Sequence, residues 1–206
     1  MSYVNKRRYD SPLRAAQAAT SRAAILTAAR ELFIAQGYGA TTVDQIAQRA
    51  GVSKPTVFSA VGNKAEVLKA VRNVAMSGDD DPRSVTDRED VAAIAAAGDR
   101  DHAIDLTAAH IVDVVARYHQ VHEVIRGASG TDPVVAGLWE TGERERRIGA
   151  GHLLQRLGAP AGPRHRALDR LWLLMAPDNY DRLVIRRHWS RRHFERWLAD
   201  QIRALF

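Results

Sequence analysis

Most of the chain shows one pattern, in which apolar residues recur at spacings of three and four positions. This is the period of an amphipathic α-helix, whereas the strict alternation of a half-buried strand is scarce. We therefore predict an all-α fold. Start and stop signals place the helices at about residues 12–37, 43–50, 54–60, 64–76, 88–97, 100–126, 133–157, 164–188 and 190–205, and Pro177 is expected to kink or split the second-last of them.

Two segments interrupt the helical pattern. Residues 77–84, SGDDDPRS, are acidic, contain a proline and have few apolar residues, so we interpret them as a linker and a domain boundary. Residues 158–163, GAPAGP, break the pattern again. The predicted organisation is an arm with the start of the first helix at 1–20, a first domain at 21–76 and a larger helical domain at 85–206.

The net charge of +6 on this chain of 206 residues is unevenly distributed. Residues 1–76 contain 11 Lys and Arg against 4 Asp and Glu, a net +7, whereas residues 77–206 contain 19 against 20, a net −1. Clustered cations favour a polyanionic partner because binding releases counterions from phosphates. Nucleic acid is therefore the favoured partner of the first segment, with an ordinary solvated basic face as the alternative.

The sequence lacks the usual signals of secretion and membrane insertion. It has no cysteine, no run near the roughly 18 consecutive apolar residues of a membrane span, and an N-terminus, MSYVNKRRYD, without the apolar centre of a signal peptide. We therefore expect a cytoplasmic protein with no membrane partner.

Residues 41–68 combine the local signals of a helix-turn-helix. Thr42 is suited to cap a short helix, and Gly51 stands where the chain must reverse, since glycine tolerates a positive φ. Ser53 is suited to cap the next helix, with Pro55 in its first turn. In such a unit the second helix enters the major groove of DNA, and its N-terminal side chains meet base edges.

Candidate DNA contacts follow from this arrangement. On the second helix, Lys54, Thr56 and Ser59 are predicted to point outward, whereas Val57 faces inward. Lys64 opens the following helix, where its ammonium and the free backbone N–H groups are suited to a phosphate. The predicted DNA-binding residues are Thr42, Ser53, Lys54, Pro55, Thr56, Phe58, Ser59 and Lys64, and for each polar one a solvated helix cap is the alternative.

Residues 22–69 contain a characteristic series of positions: Ile25, Ala28, Ala29, Leu32, Phe33, Gly37, Tyr38, Thr41, Thr42, Val43, Ile46, Ala47, Ala50, Gly51, Val52, Ser53, Thr56, Val57, Lys64 and Leu68. In this order and spacing the segment resembles the DNA-binding domain of the TetR family. The resemblance implies an N-terminal three-helix bundle that binds double-stranded operator DNA, followed by a helical body for a small-molecule effector and for dimerisation. We therefore expect a homodimeric transcriptional regulator, with repression favoured.

The sequence departs from the family pattern at three neighbouring positions. Phe58 stands where the family usually has a phosphate-binding tyrosine, and Ala60 and Val61 stand where histidine and phenylalanine are common. We therefore expect DNA affinity to depend more on the two lysines already named and on the cationic arm at residues 6–8. For that arm a solvated tail is the alternative.

The dimer that the resemblance implies is supported by apolar stripes on the last two predicted helices. Two apolar faces expose more surface than one small body covers, which favours self-association over ordinary core packing, the alternative. The stripe residues are Leu168, Leu171, Trp172, Met175, Leu183 and Val184 in the first helix, and Phe194, Trp197, Leu198, Ile202, Leu205 and Phe206 in the second.

The effector site is predicted from polar residues along the helix at 100–126. There His110, Asp113 and Arg117 lie at positions i, i+3 and i+7, and Tyr118 and His122 lie four apart. The predicted ligand-binding residues are His110, Asp113, Arg117, Tyr118, Trp139, Trp172 and Met175. Satisfied buried polar groups or solvent-facing residues are the alternatives.

No motif of catalysis, metal binding or cofactor binding accompanies these features in the sequence. His119 and His122 are three apart, but a zinc site needs three or four ligands, and HExxH, cysteine pairs, GxSxG and GxxxxGK are lacking. We expect no enzyme activity, no cofactor and no metal. Two other classes stay open: a helical enzyme or carrier that only resembles a DNA reader, and an architectural DNA binder without an effector.

Overall fold

The computed structural model describes residues 12–80, 89–158 and 164–206, in which helices are joined by short turns without a strand. The helices are α1 Pro12–Ala40, α2 Val43–Ala50, α3 Lys54–Ala60, α4 Lys64–Ser77, α5 Glu89–Ala96, α6 Arg100–Ser129, α7 Pro133–Arg156, α8 Arg164–Leu174, α9 Pro177–Tyr180, the π-helix Asp181–Arg186 and α10 Arg191–Arg203. The predicted all-α class is confirmed. None of the described helices is both long and apolar enough to cross a membrane. The predicted arm at 6–8 lies outside the described residues, as do 81–84 of the predicted linker and 159–163 of the second break.

Two helix boundaries show why the predicted elements end where they do. The helical path of α1 is interrupted at Gly37, whose φ of 80° and ψ of 166° glycine adopts without steric cost. The predicted helix at 164–188 is split at Pro177, as expected, because proline cannot donate the hydrogen bond that would continue it. Asn179 then caps the end of α8, where its Nδ2 donates to the Leu173 carbonyl oxygen at 2.8 Å.

The chain divides into two compact units, Met1–Val71 and Arg72–Phe206. This division falls inside α4, a few residues before the predicted linker at 77–84. The last turns of α4 belong to the second unit, where Arg72 forms an ion pair with Glu145 of α7.

In the first unit, α1, α2, α3 and the start of α4 enclose a small core. Phe33 of α1, Ile46 of α2 and Val57 of α3 are buried almost completely. The end of α3 is fastened to α1 by Arg22, whose Nη1 donates to the Ala60 carbonyl oxygen at 3.0 Å. These contacts fix which side of α3 faces the core and which side faces outward.

In the second unit, α6 lies centrally and packs against α5, α7, α9 and α10. The buried core residues are Ile94, Ala103, Ile104, Ala108, Ile111, Val112, Val115, Ala150, Leu153, Leu154, Leu157, Leu171, Tyr180, Phe194, Leu198, Ala199 and Ile202.

The apolar stripe of the last helix is used inside the chain's own core. Phe194, Leu198 and Ile202 are at most 1% exposed, and Trp197 and Leu205 are half-buried against the same core. The residues of the preceding stripe are buried or half-buried there as well. Ordinary core packing, the alternative considered above, therefore accounts for the buried residues of both stripes, whereas the half-buried residues and the exposed Phe206 keep part of their surface outside the core. Dimerisation stays a prediction.

Candidate DNA-binding surface and buried polar cluster

The turn between α2 and α3 has the predicted geometry. Gly51 adopts a left-handed φ of 67°, and the following N–H group, of Val52, returns to the Ala47 carbonyl oxygen at 3.0 Å. A glycine in the left-handed conformation commonly ends a helix, because a residue with a Cβ would be strained at that φ. The turn leaves α3 with Val57 inward and its opposite side outward.

The outward side of α3 is exposed, and we call it the α3 face: Lys54, Pro55, Phe58 and Ser59. Phe58 is 47% exposed, a large fraction for an aromatic side chain. Lys54 Nζ donates to Asp44 Oδ2 at 2.9 Å, and both side chains are at least half exposed. Such a surface pair stabilises a protein by only about 0–1 kcal/mol, so Lys54 is free to exchange Asp44 for a phosphate.

The predicted hydroxyl contacts are engaged within their own helices. Thr42 Oγ1 accepts from the Gln45 N–H at 3.2 Å, and Ser53 Oγ accepts from the Thr56 N–H at 3.3 Å, so both residues cap a helix. Ser59 Oγ donates to the Thr56 carbonyl oxygen at 3.1 Å. A hydroxyl both donates and accepts, so each retains capacity for a further bond. Their contact with DNA stays a prediction.

Lys64, half-buried at the start of α4, is held by the end of α1. Its Nζ donates to the Tyr38 carbonyl oxygen at 3.0 Å and lies 4.2 Å from the centre of the Tyr38 ring. The first N–H groups of α4 are capped by Asn63, whose Oδ1 accepts from Ala65 and Glu66 at 2.9 and 3.1 Å. Lys64 thus joins two helices, a role that sequence reasoning missed. Its ammonium has two further N–H donors, and phosphate binding stays a prediction.

Three residues of α6 that were predicted to bind the ligand, His110, Asp113 and Arg117, already interact with other groups of the chain. Asp113 is exposed and forms an ion pair with Arg191 of α10. Arg117 is exposed and its Nη2 donates to the Met76 carbonyl oxygen at 3.3 Å. His110 is half-buried. Ligand binding by these residues stays a prediction.

The other predicted ligand residues gather around one side of α7. This side carries Trp139, Gly142, Arg146 and Gly149, at the spacing of three and four residues that lines up one helix face. A Cβ added at Gly149 would lie 3.9 Å from Met175 Cε. We define the buried polar cluster as Arg72, Tyr118, His122, Trp139, Arg146, Trp172 and Asp178.

Aromatic rings connect the members of the cluster across three helices. The His122 ring of α6 lies 4.9 Å from the Trp139 ring and 5.6 Å from the Tyr118 ring, centre to centre. The Arg146 guanidinium carbon lies 5.3 Å from the centre of the Trp172 ring of α8. Burial lowers the pKa of Arg146, and the nearby Glu143 partly offsets this effect.

Arg72 brings a nearly buried cation into the cluster. Its side chain is 6% exposed, whereas that of its partner Glu145 is 55% exposed. The guanidinium lies against Gly142, where an added Cβ would be 3.4 Å from Arg72 Nη2, close to van der Waals contact. Burial raises the pKa of Tyr118, and Arg72 partly opposes this rise.

His122 and Asp178 form the other end of the cluster. His122 is 2% exposed, and its Nε2 lies 3.1 Å from Asp178 Oδ2. Burial lowers the pKa of His122 below its ordinary value, although Asp178 raises it in part. Burial therefore favours the neutral imidazole, and because an ionised carboxylate only accepts hydrogen bonds, Nε2 is the donor to Asp178 in that form.

Three buried N–H donors of this cluster have no hydrogen-bond partner: Arg72 Nε, Arg146 Nε and Trp172 Nε1. No other buried side-chain nitrogen or oxygen in the described part of the chain shares this condition. An unpaired buried donor costs about 1–3 kcal/mol, so three of them in one cluster are unusual in a mere structural element. A molecule that fits them must supply hydrogen-bond acceptors.

A group of possible metal ligands overlaps the cluster. Ligand atoms of His122, Glu123 and Asp178 lie within 4.8 Å of one another. His122 is bonded to Asp178, however, and both carboxylate oxygens of Glu123 accept from Arg126 at 3.1 and 2.6 Å. All three side chains thus already have a hydrogen-bonding or cationic partner, and we assign no metal.

Sequence reasoning did not select Arg72, Arg146 or Asp178 as ligand-binding candidates. They stand on α4, α7 and α9, far apart in sequence, so no local spacing connects them. One signal was available at Arg72, which occupies an inward position of α4 four residues after the fully buried Leu68. A charge within an apolar stripe is a candidate functional residue because burying it requires a partner.

The first unit matches known regulators in sequence. The family model described as bacterial regulatory proteins, tetR family, matches residues 25–71. The HTH-type transcriptional regulator SrpR of Pseudomonas putida is 47% identical over 57 residues, which are 28% of this chain and 27% of SrpR. The HTH-type transcriptional activator FasR of Mycolicibacterium smegmatis is 46% identical over 50 residues, which are 24% of this chain and 23% of FasR. The match thus spans about a quarter of each relative.

Similarity of fold extends over nearly the whole chain. The solved structure of a Mesorhizobium loti protein assigned to the TetR family of transcriptional regulators gives a TM-score of 0.64 at 20% identity and covers 92% of this chain and 96% of its own. The predicted architecture, an N-terminal helix-turn-helix followed by a larger helical body, is confirmed. The N-terminal domain thus matches the TetR family of bacterial regulatory proteins, and the chain as a whole shares the fold of a solved structure assigned to that family.

Proposed function

We propose that this protein is a DNA-binding transcriptional regulator that recognises operator DNA with the α3 face. One observation carries the proposal: Val57 anchors α3 in the core while Lys54 and Phe58 stay exposed on the opposite side. A reading helix needs a buried anchor and a free face of this kind to enter the major groove. The net +7 of residues 1–76 adds a general attraction to phosphates.

We further propose a cytoplasmic, non-catalytic homodimer that represses transcription and whose operator affinity depends on a small molecule bound in the second unit. Two reading heads match half-sites one DNA turn apart, roughly 34–36 Å. The buried polar cluster supports ligand binding because its unpartnered donors suit a guest with acceptors. If ligand binding changes the free energy of operator binding by about 1–3 kcal/mol, the ligand must bind the two states of the dimer with free energies that differ by the same amount.

The deciding experiment selects genomic DNA fragments on the purified full chain and then measures affinity for the enriched sequence over a salt series. We expect a sequence with two related half-sites, and a slope of log affinity against log salt of about −0.9 for each phosphate contacted. Binding that ignores sequence would indicate an architectural protein. Failure to bind DNA at low salt would indicate the helical enzyme or carrier. A reporter gene under the selected sequence then separates repression from activation.

Variants of α3, at Lys54 of the α3 face and at Thr56, which was predicted to point outward and is half-buried, test the assignment of the reading helix. Thr56→Ala is expected to change the preferred bases, whereas Lys54→Ala should weaken binding to all sequences alike and reduce the salt slope by about 1. Lys69→Ala, an exposed lysine of α4, is the matched control. If Thr56→Ala and Lys54→Ala both bind operator like the control, α3 does not read DNA.

A further inference from the structure

We propose that the small molecule bound by the second unit is an organic carboxylate held by Arg72 and Arg146 in the buried polar cluster. The inference rests on the proposed ligand control and names the chemistry of that site. Its basis is the chemical uniformity of the unsatisfied atoms, which are all N–H donors on Arg72, Arg146 and Trp172.

The two guanidinium groups favour a negatively charged ligand over a neutral one. An arginine presents planar, parallel donors that match the two oxygens of a carboxylate, and such bonds are stronger than those to neutral acceptors. Arg72 and Arg146 also approach the same part of α7, because Arg72 lies against Gly142, one turn before Arg146.

The present partner of Arg72 is suited to exchange. Glu145 has a side chain 55% exposed, while that of Arg72 is 6% exposed. Glu145 can therefore return to water at little cost, whereas Arg72 cannot be left unpaired in the interior. A ligand carboxylate that takes the place of Glu145 keeps the buried cation paired. Glu145 is, in this arrangement, an internal competitor of the ligand.

The rest of the cluster indicates an apolar body on the carboxylate. The half-buried Trp139 lies on this side of α7, and the half-buried Trp172 and Met175 approach it at Arg146 and Gly149. The buried Tyr118 connects to it through the His122 ring. Aromatic rings and a flexible thioether are the usual walls of a small-molecule site, where a few polar groups orient the guest. The class we infer is a small aromatic or aliphatic acid.

Pairs of probes that differ only in charge test the inference on the full chain without DNA. Sodium benzoate and sodium octanoate are compared with benzamide and octanamide by calorimetric titration and by the shift in Tm. We expect at least one acid to bind and raise the Tm, and its amide to bind at least about tenfold more weakly, since bonds to charged groups are the stronger ones. Equal affinities of acid and amide, or no binding by either acid, would overturn the inference.

Variants then locate the binding acid. Arg72→Met and Arg146→Met should each weaken its affinity by about tenfold or more. Arg147→Met is the matched control, because Arg147 is an exposed arginine of α7 paired with Asp169. Glu145→Gln should strengthen binding by removing the internal competitor, a gain that a merely structural role of Glu145 does not produce. If Arg72→Met fails to fold, Arg146→Met and Glu145→Gln decide: unchanged affinity in both refutes the site.

The outcome is independent of the DNA proposal, because these measurements contain no DNA. Failure of the acids leaves recognition of DNA by the α3 face untouched. An acid that binds at Arg72 and Arg146 but leaves operator affinity unchanged supports the site and contradicts control by it.

Discussion

Replacing Lys64 by alanine tests whether this residue chiefly stabilises the contact between the start of α4 and the end of α1. Its ammonium donates to the Tyr38 carbonyl oxygen at 3.0 Å and lies 4.2 Å from the ring centre. A hydrogen bond from a charged group contributes about 1.5–3 kcal/mol, and a cation–π contact at a half-exposed site about 0.5–1 kcal/mol. One ammonium makes both contacts, so the two contributions are not additive, and we expect Lys64→Ala to lower the free energy of unfolding by about 2 kcal/mol.

Urea unfolding with two optical probes measures this loss. The four tryptophans, at 139, 172, 189 and 197, all lie in the second unit, whereas far-UV circular dichroism reports the helices of both units. We expect Lys64→Ala to lower the urea midpoint of the transition seen by circular dichroism and to leave the midpoint of the tryptophan fluorescence transition unchanged. Lys69→Ala, with the same change on an exposed position of α4, should stay within about 0.5 kcal/mol of the native chain.

The same variant bears on DNA binding. If Lys64 also contacts a phosphate, Lys64→Ala weakens binding to all sequences similarly and flattens the salt slope by about 1. A Lys64→Ala protein as stable as Lys69→Ala would refute the structural role derived from the Tyr38 contacts. If Lys64→Ala is fully stable and also leaves the salt slope unchanged, Lys64 neither stabilises the contact with Tyr38 nor binds a phosphate.

Three further predictions follow from single residues. Phe58→Tyr places a hydroxyl on the exposed α3 face and should tighten binding to all DNA sequences by up to about tenfold, measured by fluorescence anisotropy, with stability unchanged. Burial lowers the pKa of His122, so the unfolded state binds more protons than the folded state, and the free energy of unfolding should fall as the pH drops below about 6.5. His122→Gln should reduce this pH dependence, measured by urea unfolding with tryptophan fluorescence. His188→Gly relieves a left-handed φ of 57° and should raise the free energy of unfolding by about 0.5–1 kcal/mol; an unchanged urea midpoint would contradict this.

The helix-turn-helix was predictable because its signals act over a few residues. Thr42, Gly51 and Ser53 each satisfy or terminate a helix within four positions, and the structure places them as expected. The free face of α3 follows from the 3.6-residue period once Val57 is assigned to the core. The roles of Lys64 and Arg72 were not predictable in this way, because Tyr38 lies 26 positions from Lys64 and Glu145 lies 73 positions from Arg72.

The amino-acid sequence alone determined the all-α class, the order of the helices and the TetR-type N-terminal domain, since periodicity, caps and turn residues are local properties. Only the tertiary structure decided what covers each apolar face. The stripe of α10, which favoured a second copy when seen alone, packs against α6 of the same chain. The period of a helix shows which side avoids water, but the partner of that side, and the polar groups enclosed with it, depend on how distant segments pack.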